Sequence, residues 1–169
     1  MKKKVMIIGI ILSIIWMGVI FWFSSRTSFE LDIRNRFIVK IILELFFKNF
    51  DTLPLDNQNQ ILNDISFYVS KSAHYLEYGM LALLLSMAFI LIKKRRFRYL
   101  FIMLVVILYA ISDEIHQIFS GGRTPRVLDV MIDSLGGLTM ILLIELFITI
   151  VGLVKKHDWF TFTSIWRRI

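Results

Sequence analysis

Cysteine is absent from the chain, and proline occurs only twice. The lack of cysteine excludes disulfide bonds, thiolate nucleophiles and zinc sites built on thiolates. Charged residues are also scarce, at 20% of the total, whereas hydrophobic residues make up 57%. A soluble domain needs more polar surface than this composition supplies, so the composition indicates a membrane protein.

Positive charge exceeds negative charge, with a formal net charge of +7 at pH 7. Such an excess is also typical of proteins that bind nucleic acids. Here, however, Lys and Arg occur mainly in short runs beside apolar stretches, as the positive-inside rule for membrane proteins requires. We therefore predict membrane lipids as the surroundings of the protein and no nucleic acid as a partner.

Apolar stretches of membrane-spanning length occur four times, each reaching about 30 Å at 1.5 Å per residue. They cover residues 5–23, 73–92, 99–119 and 128–154. The first follows three lysines, as in a signal peptide, but it is too long for that role and lacks a small-residue cleavage site. The predicted fold class is therefore all-α, an integral membrane bundle of about four transmembrane helices in a single domain over residues 1–169.

The distribution of positive charge predicts the orientation of these helices. Twelve of the 20 Lys and Arg residues lie at the helix ends that we assign to the cytosol. The run Lys93–Arg98 contains no acidic residue, and short basic loops of this kind resist translocation. We predict a multi-pass protein of the cell membrane with both termini in the cytosol. Glu145 is expected to pair with this basic run, and the tail over residues 155–169, with Trp159 and Trp166, is expected to anchor at the cytosolic interface.

The segment over residues 24–72 is long and falls outside the cell in this topology. Polar residues recur within it at every fourth position among apolar ones: Arg36, Lys40, Glu44 and Lys48. This spacing predicts an amphipathic helix that lies in the outer interface. A second amphipathic helix, over residues 57–70, is predicted to lead into the next crossing.

Ionisable residues are concentrated near the outer ends of the last three apolar stretches. In the second stretch, Lys71, His74 and Tyr78 share one helix face. In the third stretch, the polar residues between Asp113 and Gln117 lie about 20 to 27 Å along the helix from its cytosolic end. In the fourth, Asp129 and Asp133 precede Gly136 and Gly137, which permit close helix approach. All three helices therefore place charge at one depth. The candidate binding residues are Lys71, His74, Glu77, Tyr78, Asp113, Glu114, Gln117, Arg123, Asp129 and Asp133.

Five of these candidates are carboxylates, each of which costs about 2.5 to 3.5 kcal/mol when it is unpaired at the bilayer centre and less near the surface. Lys71, Arg123 and Arg126 are the candidates for compensation, which leaves two negative charges when the histidines are neutral. Protonated histidine, a divalent cation or an amine on a ligand would supply the remainder. Acidic pairs such as Asp113 and Glu114 are rare inside apolar runs, so a functional site is favoured over a purely structural polar network.

A metal site is the less favoured interpretation of this group. Histidine and carboxylates suit zinc or manganese, but no tight motif such as H-E-x-x-H is present. Glu114 and His116 are two positions apart and face different sides of a helix. We therefore predict no cofactor, with a divalent metal as the alternative. Ser24 and Ser25 would neighbour the cluster from the end of the first helix, but the spacing defines no Ser-His-Asp triad.

The polar stretches resemble the VanZ-like family of bacterial membrane proteins, and together they span nearly the whole chain. The matching residues are Phe23 to Ser25, Lys71 to Tyr78, Ser112 to Gln117, Phe119, Arg123, Asp129, Asp133 and Gly136. The chain departs from the family at Arg26, where glutamine is common. The family is named for an accessory protein of glycopeptide-resistance clusters that confers low-level teicoplanin resistance. The resemblance thus implies a role in the response of the cell envelope to glycopeptide antibiotics.

Three functions are compatible with this pattern. The favoured one is a non-enzymatic envelope protein whose outer pocket binds a cell-wall precursor or a glycopeptide-related ligand, with Arg123 and Arg126 holding a carboxylate or phosphate. The second is a membrane enzyme acting on a lipid-linked, phosphate-containing envelope precursor. Asp113 or Glu114 would then be the general base and His74 the acid. A lipid or ion transporter is disfavoured, because four helices without internal repeats differ from common transporter folds.

Overall fold

Helices make up almost all of the described chain, and the prediction of an all-α fold is confirmed. The computed structural model describes residues 2–25, 38–47, 49–121 and 126–166, with 120, 121 and 154–166 described through their backbone alone. No β-strand occurs within these ranges. The helices are α1 (Lys2–Ser24), α2 (residues 38–46), α3 (Leu55–Ala88), α4 (Arg95–Gly121) and α5 (Val127–Trp166), with a 3-10 turn at Phe50–Thr52.

Three of the described helices are long and apolar enough to cross a membrane. They are α1 over its full length, α4 over Arg95–Phe119 and α5 over Val127–Leu153. The helix α3 is not among them, because Lys71, His74 and Glu77 interrupt the apolar part of its sequence. Three apolar helices suffice to show a membrane protein, and the crossing expected over residues 73–92 stays a prediction.

The helix α3 tolerates these polar residues because its second half packs against three other helices. It lies against α1, α4 and α5, so less of its surface meets lipid. Its apolar residues Leu81 and Leu85 pack with Ile102 and Val106 of α4 in the hydrophobic core. A helix that is surrounded by other helices can direct polar side chains toward those neighbours rather than toward the hydrocarbon.

Contacts between the helices establish their relative directions. The indole of Trp16 in α1 donates a hydrogen bond to the carbonyl of Glu77 in α3, at 2.9 Å. Gly9, which is nearer the start of α1, adjoins Ala88 at the end of α3. The two helices are therefore antiparallel. The C-terminal end of α1 consequently lies beside the polar part of α3 rather than beside its apolar end.

Two glycines let α3 and α5 approach closely. A Cβ atom added at Gly136 would collide with the backbone carbonyl of Tyr75, and one added at Gly79 would lie 3.3 Å from the carbonyl oxygen of Gly136. The hydroxyl of Tyr75 then donates to Oγ1 of Thr139 at 2.7 Å. The predicted packing role of Gly136 is thereby confirmed, and the close approach brings nearby polar side chains of α3 and α5 within reach of one another.

Helix boundaries differ from the boundaries of the apolar stretches. The predicted amphipathic helix over 57–70 and the following crossing form one continuous helix, which ends at Ala88 rather than at residue 92. Likewise α4 begins at Arg95 rather than at 99, and α5 continues beyond 154 to Trp166. Hydropathy marks the apolar part of a helix, whereas backbone hydrogen bonds define its ends, and Arg and Lys are good helix formers.

The predicted helix between the first two crossings is present over residues 38–46. Its Lys40 and Glu44 form an exposed pair at 3.8 Å, whereas Val39 is buried. The flanking residues of the predicted polar stripe, Arg36 and Lys48, lie outside the described residues. The side of the membrane on which this helix lies stays a prediction.

Candidate functional site

Ionisable and polar residues from four helices meet at one end of the bundle. This group, which we call the polar cluster, lies at the C-terminal ends of α1 and α4, at the N-terminal end of α5 and beside the middle of α3. Its members are Ser24, Ser25, Lys71, His74, Glu77, Tyr78, Asp113, Glu114, His116, Gln117, Asp129 and Asp133.

A buried carboxylate joins α1 to α4. The hydroxyl of Ser24 donates to Oδ2 of Asp113 at 2.7 Å, and Nε2 of Gln117 donates to the same oxygen at 3.1 Å. All three side chains are buried. Asp113 and Gln117 are one helical turn apart, so they present a carboxylate and an amide on the same face of α4. Because burying a carboxylate is costly without hydrogen-bond donors, these contacts are what permits Asp113 to lie at this position.

A second contact between α1 and α4 involves Ser25 and His116. Oγ of Ser25 lies 2.9 Å from Nε2 of His116 and donates to the carbonyl of Phe21 at 2.7 Å. The ring of Phe21 stacks on the imidazole with a centroid distance of 3.9 Å. A hydroxyl has one proton, so when it is donated to the carbonyl, His116 must donate to Ser25. In this arrangement His116 does not act as a base that activates the serine.

On the other side of the cluster, two contacts join α3 to α5. Nζ of Lys71 lies 2.6 Å from Oδ2 of Asp129. One turn further into the bundle, Nδ1 of His74 lies 3.9 Å from Oδ1 of Asp133, and it lies 3.9 Å from Oε2 of Glu77 on its own helix. These longer contacts become ion pairs when the imidazole is protonated. The order of the two contacts shows that α3 and α5 run in the same direction.

Tyr78 and Asp133 occupy the interior of the cluster between its two sides. The phenol of Tyr78 is fully buried, and Asp133 is 2% exposed. Neither the hydroxyl of Tyr78 nor Oδ1 of Asp133 has a hydrogen-bond partner among the described residues. The centre of the cluster therefore has unused hydrogen-bonding capacity.

The two arginines that were expected to compensate the acids have different outcomes. Oε2 of Glu114 accepts a hydrogen bond from the backbone N–H of Arg126 at 3.0 Å, while Arg126 itself is exposed. The residue thus contributes its backbone to the buried Glu114, and within the part of the chain that the structure describes no contact of its guanidinium group with an acid of the cluster is seen. Arg123 lies outside the described residues.

The members of the cluster differ in exposure. We call the partly exposed members the edge and the buried members the floor. At the edge, the side chains of Lys71, His74, Asp129 and Glu77 are 17% to 19% exposed. Beneath them, the floor is formed by Tyr78, Asp113, Glu114, Gln117 and Asp133, all of which are buried. The groups of the cluster nearest to its surface are therefore an amine, an imidazole and two carboxylates.

Sequence reasoning identified most members of the cluster but left Ser24, Ser25 and His116 out of the predicted binding set. Their positions could have identified them, because Ser24 is the last residue of α1, Ser25 follows it, and His116 lies near the end of α4. No group of three or more His, Asp or Glu residues within the described ranges has the arrangement needed to hold a metal ion. The described residues of the cluster can form hydrogen bonds and ion pairs and can transfer protons.

Comparison with known proteins places the chain in a family. The sequence profile of the VanZ/LLP1 family matches residues 9–148, a range that includes most of the chain and every member of the polar cluster. No curated protein and no solved structure matches the chain. The extent of the family match, together with the three apolar helices of membrane-spanning length, shows that the chain is a membrane protein of the VanZ/LLP1 family.

Proposed function

We propose that this protein binds a component of the cell envelope through the polar cluster and thereby alters susceptibility to glycopeptide antibiotics such as teicoplanin. The component would be a cell-wall precursor or a glycopeptide-related ligand. The antibiotic context comes from the resemblance to VanZ-like proteins, whereas the chemistry of recognition is argued from the residues. The non-enzymatic role is preferred to catalysis.

The edge of the cluster is the observation that carries this proposal. Lys71 and Asp129 pair at 2.6 Å while each side chain keeps a fraction of its surface exposed. A ligand that carries an amine together with a carboxylate or a phosphate could replace this pair. Its amine would contact Asp129 and its anionic group would contact Lys71. Envelope precursors that combine peptide and phosphate groups present both kinds of charge. His74 lies one turn deeper and adds a further group that can bear positive charge.

A purely structural role is the main competitor, because the same contacts also hold helices together. Ser24 and Asp113 join α1 to α4, and Lys71 and Asp129 join α3 to α5. Replacing any of these residues would therefore change function through unfolding if the cluster served stability alone. Stability and function must accordingly be measured on the same variants.

The test uses the full-length protein in a bacterial strain that lacks its own copy. Lys71→Gln and His74→Gln remove a charge or a titratable group from the edge, and Glu145→Gln is the matched control at the opposite end of the bundle. Teicoplanin susceptibility is measured at equal membrane abundance. The thermal midpoint of each purified variant is measured in detergent.

We expect both edge variants to lose the effect on susceptibility while their midpoints fall by no more than the roughly 2 to 4 °C that a loss of about 1 kcal/mol causes, and we expect Glu145→Gln to behave as the wild type. Binding of teicoplanin or a lipid-linked precursor to the purified protein should weaken in the same two variants. Full retention of the susceptibility effect in both edge variants would rule out this role for the cluster. If the effect on susceptibility is lost only in variants whose thermal midpoint falls by more than about 4 °C, the cluster serves stability alone.

A membrane enzyme that acts on a lipid-linked, phosphate-containing precursor is the second candidate, and His74 favours it. Its Nδ1 lies 3.9 Å from carboxylate oxygens of both Glu77 and Asp133. Two neighbouring carboxylates stabilise a protonated imidazole, which is the form that acts as a general acid. The two candidates predict different effects on the lipid-linked precursors of the cell. Altered lipid-linked precursors in cells with the wild-type protein, but not with His74→Gln, would establish the enzyme.

A further inference from the structure

The connection between α3 and α4, together with the first turn of α4, carries the highest density of positive charge in the described chain. Five of the six residues over Lys93–Arg98 are Lys or Arg, and none is acidic. Most of this run is exposed. Among the described residues, Glu145 is the carboxylate that pairs with it, through Arg95 Nη1 at 2.9 Å. The turn therefore keeps a large excess of positive charge, and we call residues 89–98 the basic turn.

Arg98 is positioned by its neighbours but has hydrogen-bond donors to spare. Its Cζ lies 5.3 Å from the centroid of the Tyr99 ring, and Nη2 lies 3.4 Å from the Tyr99 hydroxyl. The hydroxyl of Tyr99 donates in turn to Glu145. Nε of Arg98 is buried and has no hydrogen-bond partner among the described residues. The buried Nε is not open to a ligand, but the terminal nitrogens of a guanidinium that is held in one orientation suit a phosphate group.

Apolar surface continues directly from the basic turn along α4. Lys94 and Arg96 lie 5.9 Å and 5.1 Å from the centroid of the Phe97 ring, which is partly exposed. Beyond it, Leu100 is 62% exposed and Phe101 is 46% exposed. Cations at the end of a membrane-spanning helix followed by exposed apolar side chains match the two parts of a phospholipid, its charged headgroup and its acyl chains.

We propose that the basic turn binds the headgroup of an anionic phospholipid. Arg98 holds the phosphate, Lys94 and Arg96 beside the Phe97 ring add positive charge near it, and Phe97, Leu100 and Phe101 contact the acyl chains. Arg95 remains paired with Glu145 and fixes the turn against α5. The continuity of the cations with lipid-facing surface favours a lipid over a soluble phosphate compound. The site lies about 27 Å from the polar cluster along α4 and does not depend on the ligand proposed there.

The experiment measures the thermal midpoint of the purified full-length protein in detergent after addition of phosphatidylglycerol or phosphatidylcholine. Phosphatidylglycerol should raise the midpoint more than phosphatidylcholine does, and the difference should shrink as sodium chloride is added, because salt screens the charges. Arg98→Gln should reduce the difference to roughly half or less, because it removes the guanidinium group that holds the phosphate and leaves only the neighbouring cations. Arg96→Gln, at an exposed position, is a second variant in case Arg98→Gln does not fold.

Lys40→Gln is the control, since Lys40 is an exposed cation of α2 outside the basic turn. It should keep the full effect of phosphatidylglycerol. Equal stabilisation by the two lipids would overturn the proposal, and so would an unchanged lipid effect in the arginine variants or an equal loss in Lys40→Gln. Inorganic phosphate at the same concentration should not replace the lipid. If it does, the acyl-chain contacts are not part of the site and the proposal of a phospholipid fails.

Discussion

The two ends of the bundle use charge in opposite ways. At the polar cluster, carboxylates outnumber the described cations, and Asp113, Glu114 and Asp133 are buried. At the basic turn, cations outnumber carboxylates, and most of them are exposed. Buried charge must find partners on neighbouring helices, because hydrocarbon offers none. Exposed charge at the membrane surface instead remains available to water and lipid headgroups.

The contrast is clearest in the two ion pairs that join helices. Lys71 and Asp129 are 19% and 17% exposed, whereas Arg95 and Glu145 are 55% and 29% exposed. Water screens the second pair more strongly. Although both are ion pairs, the second should therefore contribute less to stability than the first. We therefore expect the polar cluster to determine how the helices fit together and the basic turn to interact with the surroundings. The following predictions test this difference, beginning with the largest effect.

Replacing Gly136 by leucine should have the largest effect on stability. The new Cβ would collide with the backbone carbonyl of Tyr75, so α3 and α5 would separate and the contacts of the polar cluster would weaken. Overpacking typically costs roughly 1 to 3 kcal/mol, and we expect the free energy of unfolding to fall by the upper value or more. Denaturant unfolding in detergent measures it. Gly152→Leu is the control, because a Cβ at Gly152 has nothing within 4 Å, and it should be neutral. Equal losses in both variants would contradict the close approach of α3 and α5.

Replacing Asp113 should have the next largest effect, and the size should depend on the replacement. Alanine removes the acceptor of the buried Ser24 hydroxyl and one of the acceptors of Gln117 Nε2, which also lies 3.4 Å from Ser24 Oγ, and this costs about 1 to 3 kcal/mol. Asparagine keeps an oxygen acceptor, so Asp113→Asn should retain much of that stability. The measurement is the free energy of unfolding of the two variants. If alanine is as stable as asparagine, the buried hydrogen bonds do not join α1 to α4 as described.

A double-mutant cycle on Lys71 and Asp129 should give a smaller but measurable coupling. With Lys71→Met and Asp129→Asn, we expect a coupling free energy of about 1 kcal/mol, because the pair is close and only partly exposed. The exposed pair of Lys40 and Glu44 provides a matched comparison at 3.8 Å. Its coupling should be no more than about 0.5 kcal/mol. Equal coupling in the two cycles would show that burial within the cluster does not strengthen the pair.

The smallest effect is expected from the pair at the basic turn. A cycle with Arg95→Gln and Glu145→Gln should give a coupling of only a few tenths of a kcal/mol, because the arginine is largely exposed and screened by solvent. Unfolding at low and high salt measures it, and the value should fall as salt rises. A coupling larger than that of Lys71 and Asp129 would reverse the comparison between the two ends.

Much of this arrangement follows from the sequence because membrane helices restrict where charge can lie. The rise per residue along each helix is fixed, so residues at similar distances from a helix end must lie at similar depths. The expected pairing of Glu145 with the run Lys93–Arg98 is confirmed by its contact with Arg95. The helical nature of the segment before α3 is likewise confirmed over residues 38–46.

Partner choice within the cluster did not follow from the sequence. It depends on how closely α3 and α5 approach at Gly136 and on which faces the helices turn toward each other. The backbone role of Arg126 was missed for a related reason, since a charged side chain is visible in a sequence whereas a free backbone N–H before a helix is not. The continuity of α3 was also missed, because hydropathy changes at its midpoint while its backbone hydrogen bonds continue.

Cross-linking offers the most direct test of whether residues distant in sequence meet at one end of the bundle. The chain has no cysteine of its own, so Lys71→Cys with Asp129→Cys supplies a clean pair of thiols. A short bifunctional thiol reagent applied to membranes should join them within one chain, as detected by mass spectrometry, whereas Lys71→Cys with Glu145→Cys should remain unlinked. If each cysteine reacts singly but the first pair never cross-links, α3 and α5 do not bring these residues together and the polar cluster does not exist as described.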